Sequence, residues 1–326
     1  MNDKGLTVLV CTYNGAERLP ATLAHLAAQV VSSHINWEVI VVDNASTDDS
    51  AGVARNEWAK QNLPDVGFKV LTESIPGKIN ALATGTSASR YEYFIICDDD
   101  NWLSPDYVQE TYTILEKDAS IGAVGGQSIP RNDSGIFPAW FNEYAEGYAV
   151  GEQGGGIAGG DITESRGYLW GAGLGTRTKL YKDIFKDFPS LLTGRNGKKL
   201  SAGEDSEYSQ RLILKGYKLF YDPKLVLYHY LPAKRLEETY REKLFAGFTE
   251  SEKILDKYYI ATEMKIKLDI NQINKYRLLV TYLFKALFTS SPKKRLARIN
   301  MMKYILNRRY PNDPVLEAIR AFEKGQ

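Results

Sequence analysis

Residues 93–108 read YFIICDDDNWLSPDYV. A short apolar run, Tyr93–Cys97, is followed at once by three carboxylates, Asp98, Asp99 and Asp100. Ser104-Pro105 comes next, a helix start with serine as cap and proline at the first helical position. A continuous apolar run of this length is the pattern of a strand covered on both faces. The same succession repeats upstream. Leu6–Cys11 is an apolar run that ends in Thr12-Tyr13-Asn14, and helical spacing follows over Glu17–Gln29. Glu38–Val42 stops at Asp43. Ser46 or Thr47 is placed to cap the next helix, with Asp48 and Asp49 in its first turn. Phe68–Leu71 reads as a third strand, Lys78–Ala88 as a helix and Ile121–Val124 as a fifth strand. Strands alternating with helices predict an α/β fold, a mostly parallel sheet with helices on both faces. Ligands of such sheets bind at the carboxyl ends of the strands, so the polar residues after strands one, two and four mark the site.

Three aspartates in a row repel one another, and a divalent cation among them relieves the repulsion. In extended backbone alternate side chains share a face. Asp98 and Asp100 are therefore expected in one site and Asp99 on the other side. The competing reading is a solvated acidic turn. Asp43 is either an acceptor for a nucleotide base or a turn former. Pro76-Gly77-Lys78 opens a helix whose amides and lysine suit a diphosphate, and a plain turn with a surface lysine is the alternative. Glu204-Asp205 precedes a helix expected over Ser206–Lys215. These carboxylates are either dipole partners or a source of general base. His229 lies in a strand-like LVLYHY run and is structural unless a metal is near. Gly154, Gly156 and Gly159 match G-x-G-x-x-G, but no strand precedes them, so residues 151–160 read as a mobile loop and not as a dinucleotide site. Cys11 and Cys97 read as buried thiols.

The chain has 326 residues, 44% hydrophobic and 25% charged, which suits one large globular domain with an appendage or two modest ones. Two cysteines exclude a disulfide-rich scaffold and a cysteine-based zinc domain. No apolar run approaches the roughly 18 residues of a membrane span, and the N-terminus lacks a signal-peptide pattern. A cytoplasmic setting is the expectation. The net charge of +1 hides an asymmetry: residues 232–326 carry +9 and the remainder −8. Asn271 to Asn312 holds ten basic side chains and no acidic one. Such a tail suits a polyanion, either a membrane surface or a nucleic acid. Leu236–Tyr259, Ile273–Phe288 and Lys293–Arg309 are its expected helices. Tyr276, Leu279, Val280, Leu283, Phe284, Leu287 and Phe288 form an apolar stripe at helical spacing, with Lys275, Arg277 and Lys285 beside it and Lys293, Lys294, Arg295 and Arg298 beyond. The stripe packs on the catalytic domain, on a second copy in a homodimer, or in the plane of an anionic membrane.

Taken in order, TVLVCTYNGAERL, WEVIVVDNASTDDS, ESIPGKINALATG, YFIICDDDNWLSPDYV, WGAGLGTRTKLY and AGEDSEYSQRLILKGYKLFYDPKLVLYH resemble the family 2 glycosyltransferases, inverting enzymes of the GT-A fold. The resemblance spans Thr7 to His229. It implies a catalytic domain over 1–231, with a nucleotide-sugar half to about 130 and an acceptor half after it, followed by a helical, basic region over 232–326. It implies that Thr12, Tyr13, Asn14, Asp43, Lys78, Asp98 and Asp99 bind the donor nucleotide. Asp100, and less firmly His229, would hold Mn2+ or Mg2+. Asp205, with Glu204 beside it, would be the catalytic base, and Trp170, Gly171 and Ala172 would face the sugar. Three contiguous aspartates depart from the usual motif, so the metal-binding oxygen is open to a shift of one residue. Gln210-Arg211 stands without the motif of the processive synthases, which implies transfer of one sugar or a few. The expected reaction moves a sugar from a nucleotide-diphosphate sugar, UDP favoured, to a saccharide or lipid-linked acceptor in cell-envelope or polysaccharide synthesis. It would be cytoplasmic or peripheral at the inner face of the cell membrane, with no nucleic acid partner. A nucleotidyltransferase and a non-catalytic nucleotide-sugar or membrane-binding protein are the alternatives.

Overall fold

The computed structural model describes residues 2–186, 188–192, 202–268, 275–289, 295, 298–299, 302 and 313–325. The chain divides into two compact units, Met1–Ser251 and Glu252–Gln326.

The first unit is built on a mixed sheet. In chain order its elements are β1 Asp3–Thr12, α1 Leu19–Ala27, β2 Trp37–Asn44, α2 Ser50–Ala59, β3 Gly67–Glu73, α3 Lys78–Ala88, β4 Tyr91–Asp98, β5 Asn101–Leu103, α4 Tyr107–Lys117 and β6 Ile121–Arg131. After them come α5 Phe141–Tyr144, β7 Gly160–Asp161, β8 Gly175–Arg177, α6 Thr178–Lys186, α7 Glu204–Leu214 and β9 Lys218–Tyr230. A 3-10 turn, Ala233–Leu236, leads into α8 Glu238–Leu268. Among the described residues the strand order is β3-β2-β1-β4-β8-β6-β9-β5, with β7 on β9. The strands β1 to β4 pair in parallel, as the strand–helix alternation predicts. Leu6, Val8, Leu9, Val10, Val39, Ile40, Val41 and Val42 are wholly buried, which is why these strands read as unbroken apolar runs. The layered α/β architecture and the C-terminal helices agree with the sequence expectation.

The other half of the sheet is different in kind. The short strand β8 runs antiparallel between β4 and β6, and β5 is antiparallel to β9. Three local expectations shift. Asp49, not Ser46 or Thr47, is the N-cap of α2, with its carboxylate accepting from the Gly52 amide at 3.2 Å. Ser104 does not cap α4: Asp106 holds that position, and the Ser104 hydroxyl donates to Asp106 instead. The seventh helix starts at Glu204, so both Glu204 and Asp205 lie inside its first turn rather than before it.

Behind α7 sits a fully buried ion pair. Arg211 Nη2 and Glu207 Oε1 are 2.7 Å apart, and both side chains are inaccessible. Arg211 also donates to the carbonyls of Phe188 and Pro189, and Glu207 accepts from the Leu191 amide at 2.9 Å. The pair thereby ties the segment after α6 to the helix that carries Asp205.

In the second unit, Tyr282 and Leu279 of α9 Lys275–Leu287 pack with Ile260 and Met302. A further helix, α10 Pro314–Lys324, was not foreseen. It is bounded by Asp313, whose carboxylate caps the amides of Val315 and Leu316, and by left-handed Gly325. Most of the helix expected over Lys293–Arg309, with Lys293 and Lys294, lies outside the described residues, as do the side chains of Lys275, Tyr276 and Arg277.

Breaking the buried pair from one side leaves an uncompensated charge. Arg211→Met is expected to cost about 3–5 kcal/mol in urea unfolding, and adding Glu207→Leu should recover most of it. A single-mutant loss below about 1 kcal/mol would show that water reaches the pair.

Candidate functional site

The carboxyl ends of β1, β2 and β4 open into a cavity of about 680 Å³. Its wall includes Thr12, Tyr13, Lys78, Asp98, Asp99, Asp100, Gly171, Ala172, Glu204, Asp205 and His229, so most of the residues singled out in the sequence meet there. Asn14, Asp43 and Trp170 do not line it. Asn14 takes the left-handed conformation, and its side chain accepts from Thr47, joining the turn after β1 to the turn after β2. The Asp43 carboxylate accepts from the Ser46 amide at 3.2 Å and shapes the second of those turns. Trp170 donates its backbone amide to Gln153 and packs under Arg166.

The aspartate triplet is the electrostatic centre. Each carboxylate has its own cation, delivered by a different part of the chain. Asp98 pairs with Lys78 at 2.5 Å, on the first turn of α3. Asp99 accepts two bonds of 2.9 Å from Arg18 and one of 2.6 Å from the Thr12 hydroxyl. Asp100 pairs through Oδ2 with Arg235 at 2.6 Å, and His229 Nε2 lies 3.5 Å from its Oδ1. Burial works against ionisation of Asp100, but Arg235 and then His229 outweigh it and hold this carboxyl well below the ordinary carboxylate range. Burial, together with the charge of Asp100, pushes Asp99 up. Burial also opposes the charge on Lys78, but Asp98 outweighs it and raises the ammonium pKa. Burial pushes the Cys11 thiol up to about 12, consistent with an inert thiol at the cavity floor.

Local geometry explains these placements. Gly15 sits where a Cβ would lie 2.0 Å from the Thr12 hydroxyl and 2.3 Å from Asp99, so only glycine lets the β1 turn close on the triplet. Asn44 clamps the loop before α3: its amide donates to the carbonyls of Glu73 and Ile75, and its oxygen accepts from the Gly77 amide at 2.7 Å. Gly77, at φ 133°, then turns the chain so that Lys78 begins the helix. His229 reaches the triplet because the β5–β9 register sets it opposite Asn101.

Asp205 is fixed by two amides. Its Oδ2 accepts from Gly171 and its Oδ1 from Ser206, each at 2.8 Å. A Cβ built on Gly171 would lie 3.7 Å from Asp205 Oδ2 and 3.8 Å from Lys78 Nζ, so the carboxylate and the ammonium flank one glycine. Gln153, buried in the glycine-rich stretch, bonds the Gly126 carbonyl and the Trp170 amide. The stretch read as a mobile loop is therefore pinned at its start.

Among the described residues no group of three or more His, Cys, Asp or Glu side chains is gathered to hold a metal by itself. Mg2+ and Mn2+ need fewer protein ligands when substrate phosphates and water complete their shell. Asp100 and His229, a carboxylate and an imidazole side by side on the cavity wall, fit that partial set.

Residues 7–155 match the family described as Glycosyl transferase family 2. The poly-beta-1,6-N-acetyl-D-glucosamine synthase of Staphylococcus aureus (strain COL) is 30% identical over 133 residues, 41% of this chain and 31% of the relative. The chain thus spans about a third of the length of the curated relatives it matches. Among solved structures, S. aureus TarS 1–349 in complex with UDP-GlcNAc aligns at a TM-score of 0.55 with 14% identity, covering 98% of this chain and 91% of that one. The mannosyltransferase PcManGT from Pyrobaculum calidifontis, in complex with GDP-Man and Mn2+, aligns at 0.51 with 17% identity over 97% of this chain and 73% of that one. The architecture is the GT-A fold.

Three residues of the site escaped the sequence reading, Arg18, Gln153 and Arg235; Asn44 falls at the end of strand two, which the sequence marks, but its clamp on the loop before α3 was not legible. Asn44 is the most accessible to test. Asn44→Ala leaves the Gly77 amide and two carbonyls short of partners, so a loss of about 1–3 kcal/mol in urea unfolding is expected. An unchanged midpoint would show that the loop before α3 does not depend on the clamp.

Proposed function

We propose that the protein transfers a sugar from a nucleotide-diphosphate sugar, UDP-sugar favoured, to an acceptor hydroxyl with inversion, in cell-envelope or polysaccharide synthesis. The observation that carries this reading is that Asp205 and Lys78 both lie beside Gly171, in the cavity that also holds the aspartate triplet. Proton removal and leaving-group stabilisation are the two demands of such a displacement, and the site offers a group for each.

In this reading Thr12, Tyr13, Asn14 and Asp43 frame the nucleoside, with Asp98 and Asp99 at its ribose. Asn14 and Asp43 act by shaping the turns, since neither lines the cavity. Asp100 and His229 would hold a divalent cation. That cation, when bound, offsets negative charge on the departing diphosphate. Lys78 and the amides at the start of α3 stabilise the same charge from the other side. Asp205, held by two backbone amides, accepts the proton of the acceptor hydroxyl as the new carbon–oxygen bond forms at the anomeric carbon. The bond to the phosphate oxygen breaks with its electron pair, and the diphosphate leaves. Glu204, whose charge is felt by Lys78, sits beside the base on the cavity wall. Gly171 and Ala172, on the cavity wall ahead of β8, would be nearest the sugar, with Trp170 next to them in the chain but off the wall. Holding donor and acceptor together supplies the proximity contribution.

The tail supports a lipid-linked acceptor. Most of the stripe of α9 faces outward: Val280, Leu283, Phe284, Leu287 and Phe288 are exposed, Phe288 at 83%, whereas Tyr282 and Ala286, outside the stripe, are buried. Lys285 and Arg295 are exposed beside them, within a segment free of acidic residues. An outward apolar face ringed by cations is the pattern of an in-plane membrane helix. No helix among the described residues is long and apolar enough to cross a membrane.

Two experiments test this. Thermal shift with UDP, GDP, dTDP and CMP, each with and without Mn2+, should give one cation-dependent stabilisation, about 2.7 kcal/mol at 100 times the dissociation constant. Asp205→Asn should keep that shift while turnover falls by about 10²–10⁴, and the product should carry the inverted anomeric configuration by NMR. Retention, or full activity in Asp205→Asn, would overturn the mechanism. For the tail, vesicles containing phosphatidylglycerol should capture the protein at low salt, and Phe284→Ser with Phe288→Ser should release it. Indifference to vesicles combined with a dimer broken by the same variant would assign the face to a second copy instead.

A further inference from the structure

Three cations neutralise the triplet, but they are not equally fixed. Lys78 is placed by the Asn44 clamp and the turn at Gly77. Arg18 grips Asp99 with two nitrogens and also donates to the Tyr13 carbonyl. Arg235 comes from the 3-10 turn Ala233–Leu236, which follows β9 and buries none of its own residues. Its side chain borders the cavity and is about as accessible as those of Arg18 and Lys78, so what sets it apart is the turn that carries it. Asp100 Oδ1 is engaged by Asn101 at 3.0 Å and faces His229, so Arg235 occupies the other oxygen, Oδ2.

A divalent cation held by Asp100 and His229 would share this carboxylate with the guanidinium on Oδ2. Charge counting gives the consequence. In the structure the three carboxylates of the triplet face three permanent cations, and Glu204 and Asp205 line the same cavity from α7. A divalent cation alone would add two positive charges beside a guanidinium already seated on the same carboxylate, which is repulsive in so buried a place. A divalent cation arriving with the two negative charges of a sugar diphosphate adds no net charge. The guanidinium it displaces carries a planar fork of donors matched to phosphate oxygens.

We propose that Arg235 is an exchangeable counter-cation: it holds Asp100 while no donor is bound, and moves onto the donor's diphosphate when a divalent cation takes Asp100. This rests on the donor class proposed above. It makes cation and nucleoside diphosphate depend on each other, a coupling between two ligands that is reciprocal by thermodynamic necessity. Arg235 is then a donor-binding residue supplied from beyond β9, in the segment that the sequence reading had counted as tail.

The test measures binding, not turnover. Free Mn2+ is counted by EPR in solutions of the full chain, without nucleotide and then with UDP or GDP, for the wild type, Arg235→Gln and Arg235→Lys. Unfolding temperatures confirm that each variant is folded. The expected result is that Arg235→Gln binds Mn2+ alone about tenfold or more tighter than the wild type, while the mutual tightening of Mn2+ and nucleoside diphosphate shrinks by about tenfold. Arg235→Lys keeps a charge but loses the fork. It should leave Mn2+ binding alone near the wild-type value and still weaken the coupling, so it carries the test if the glutamine variant does not fold. Unchanged or weaker Mn2+ binding in Arg235→Gln, or unchanged coupling in both variants, overturns the proposal. If the wild type binds neither UDP nor GDP with Mn2+, the donor reading falls and takes the second half of the proposal with it. The nucleotide-free Mn2+ measurement still decides the first half.

Discussion

Three consecutive carboxylates at the end of a buried strand are the constraint around which the first unit is arranged. An ion taken out of water without a partner costs several kcal/mol, and three adjacent ones add mutual repulsion. The fold answers with Lys78 from the start of a helix, Arg18 from the turn after the first strand, and Arg235 from the turn after the last. Each of these demands a local device. Gly77 lets the chain turn into α3, Gly15 allows the first turn to touch Asp99, and the long β9 carries the chain back past Asp100 before releasing it at Pro232. In the proposed function the same side chains that make the triplet tolerable would also meet a phosphate-bearing ligand, which would tie stability to ligand chemistry.

Much of the parallel half of the sheet was legible in the sequence because its strands are covered on both faces. Burial on both sides forces unbroken apolar runs, and the polar residues that end them stand out. The helix starts were less legible. Ser104 ahead of proline looks like a cap, but the chain makes one more turn and Asp106 takes the position; Asp49 likewise displaces Ser46 and Thr47. These are differences of a few residues among equivalent capping side chains, which local sequence does not rank.

What stayed hidden depends on long-range register. A three-residue strand such as β8 carries almost no pattern, yet it joins the two halves of the sheet. His229 could be ranked only by knowing that β9 lies against Asn101. Arg18 and Arg235 look like ordinary surface cations because nothing in a one-dimensional reading puts them beside Asp99 and Asp100. The sequence argument required a cation among the aspartates, and the structure shows basic side chains already meeting that electrostatic need. Gln153 was lost in a glycine-rich stretch whose composition suggested only motion. Two hydrogen bonds made by its side chain tie that stretch to β6 and to Trp170.

The other carboxylate of the site, Asp205, is placed by a different kind of interaction. The amides of Gly171 and Ser206 orient it, but the helix itself is anchored from behind by Glu207 and Arg211, two and six residues further along and both wholly buried. A buried ion pair of this kind adds little net stability compared with apolar residues of the same volume. Its geometry is another matter. The guanidinium bonds the carbonyls of Phe188 and Pro189, and the carboxylate takes the Leu191 amide, so sliding α7 by one turn would strand both charges. A leucine pair would tolerate such a slip with a small loss. For a base acting as proposed at Asp205, which has to sit within hydrogen-bond reach of a reacting hydroxyl, an anchor with one acceptable register suits the task better than a stronger anchor with several.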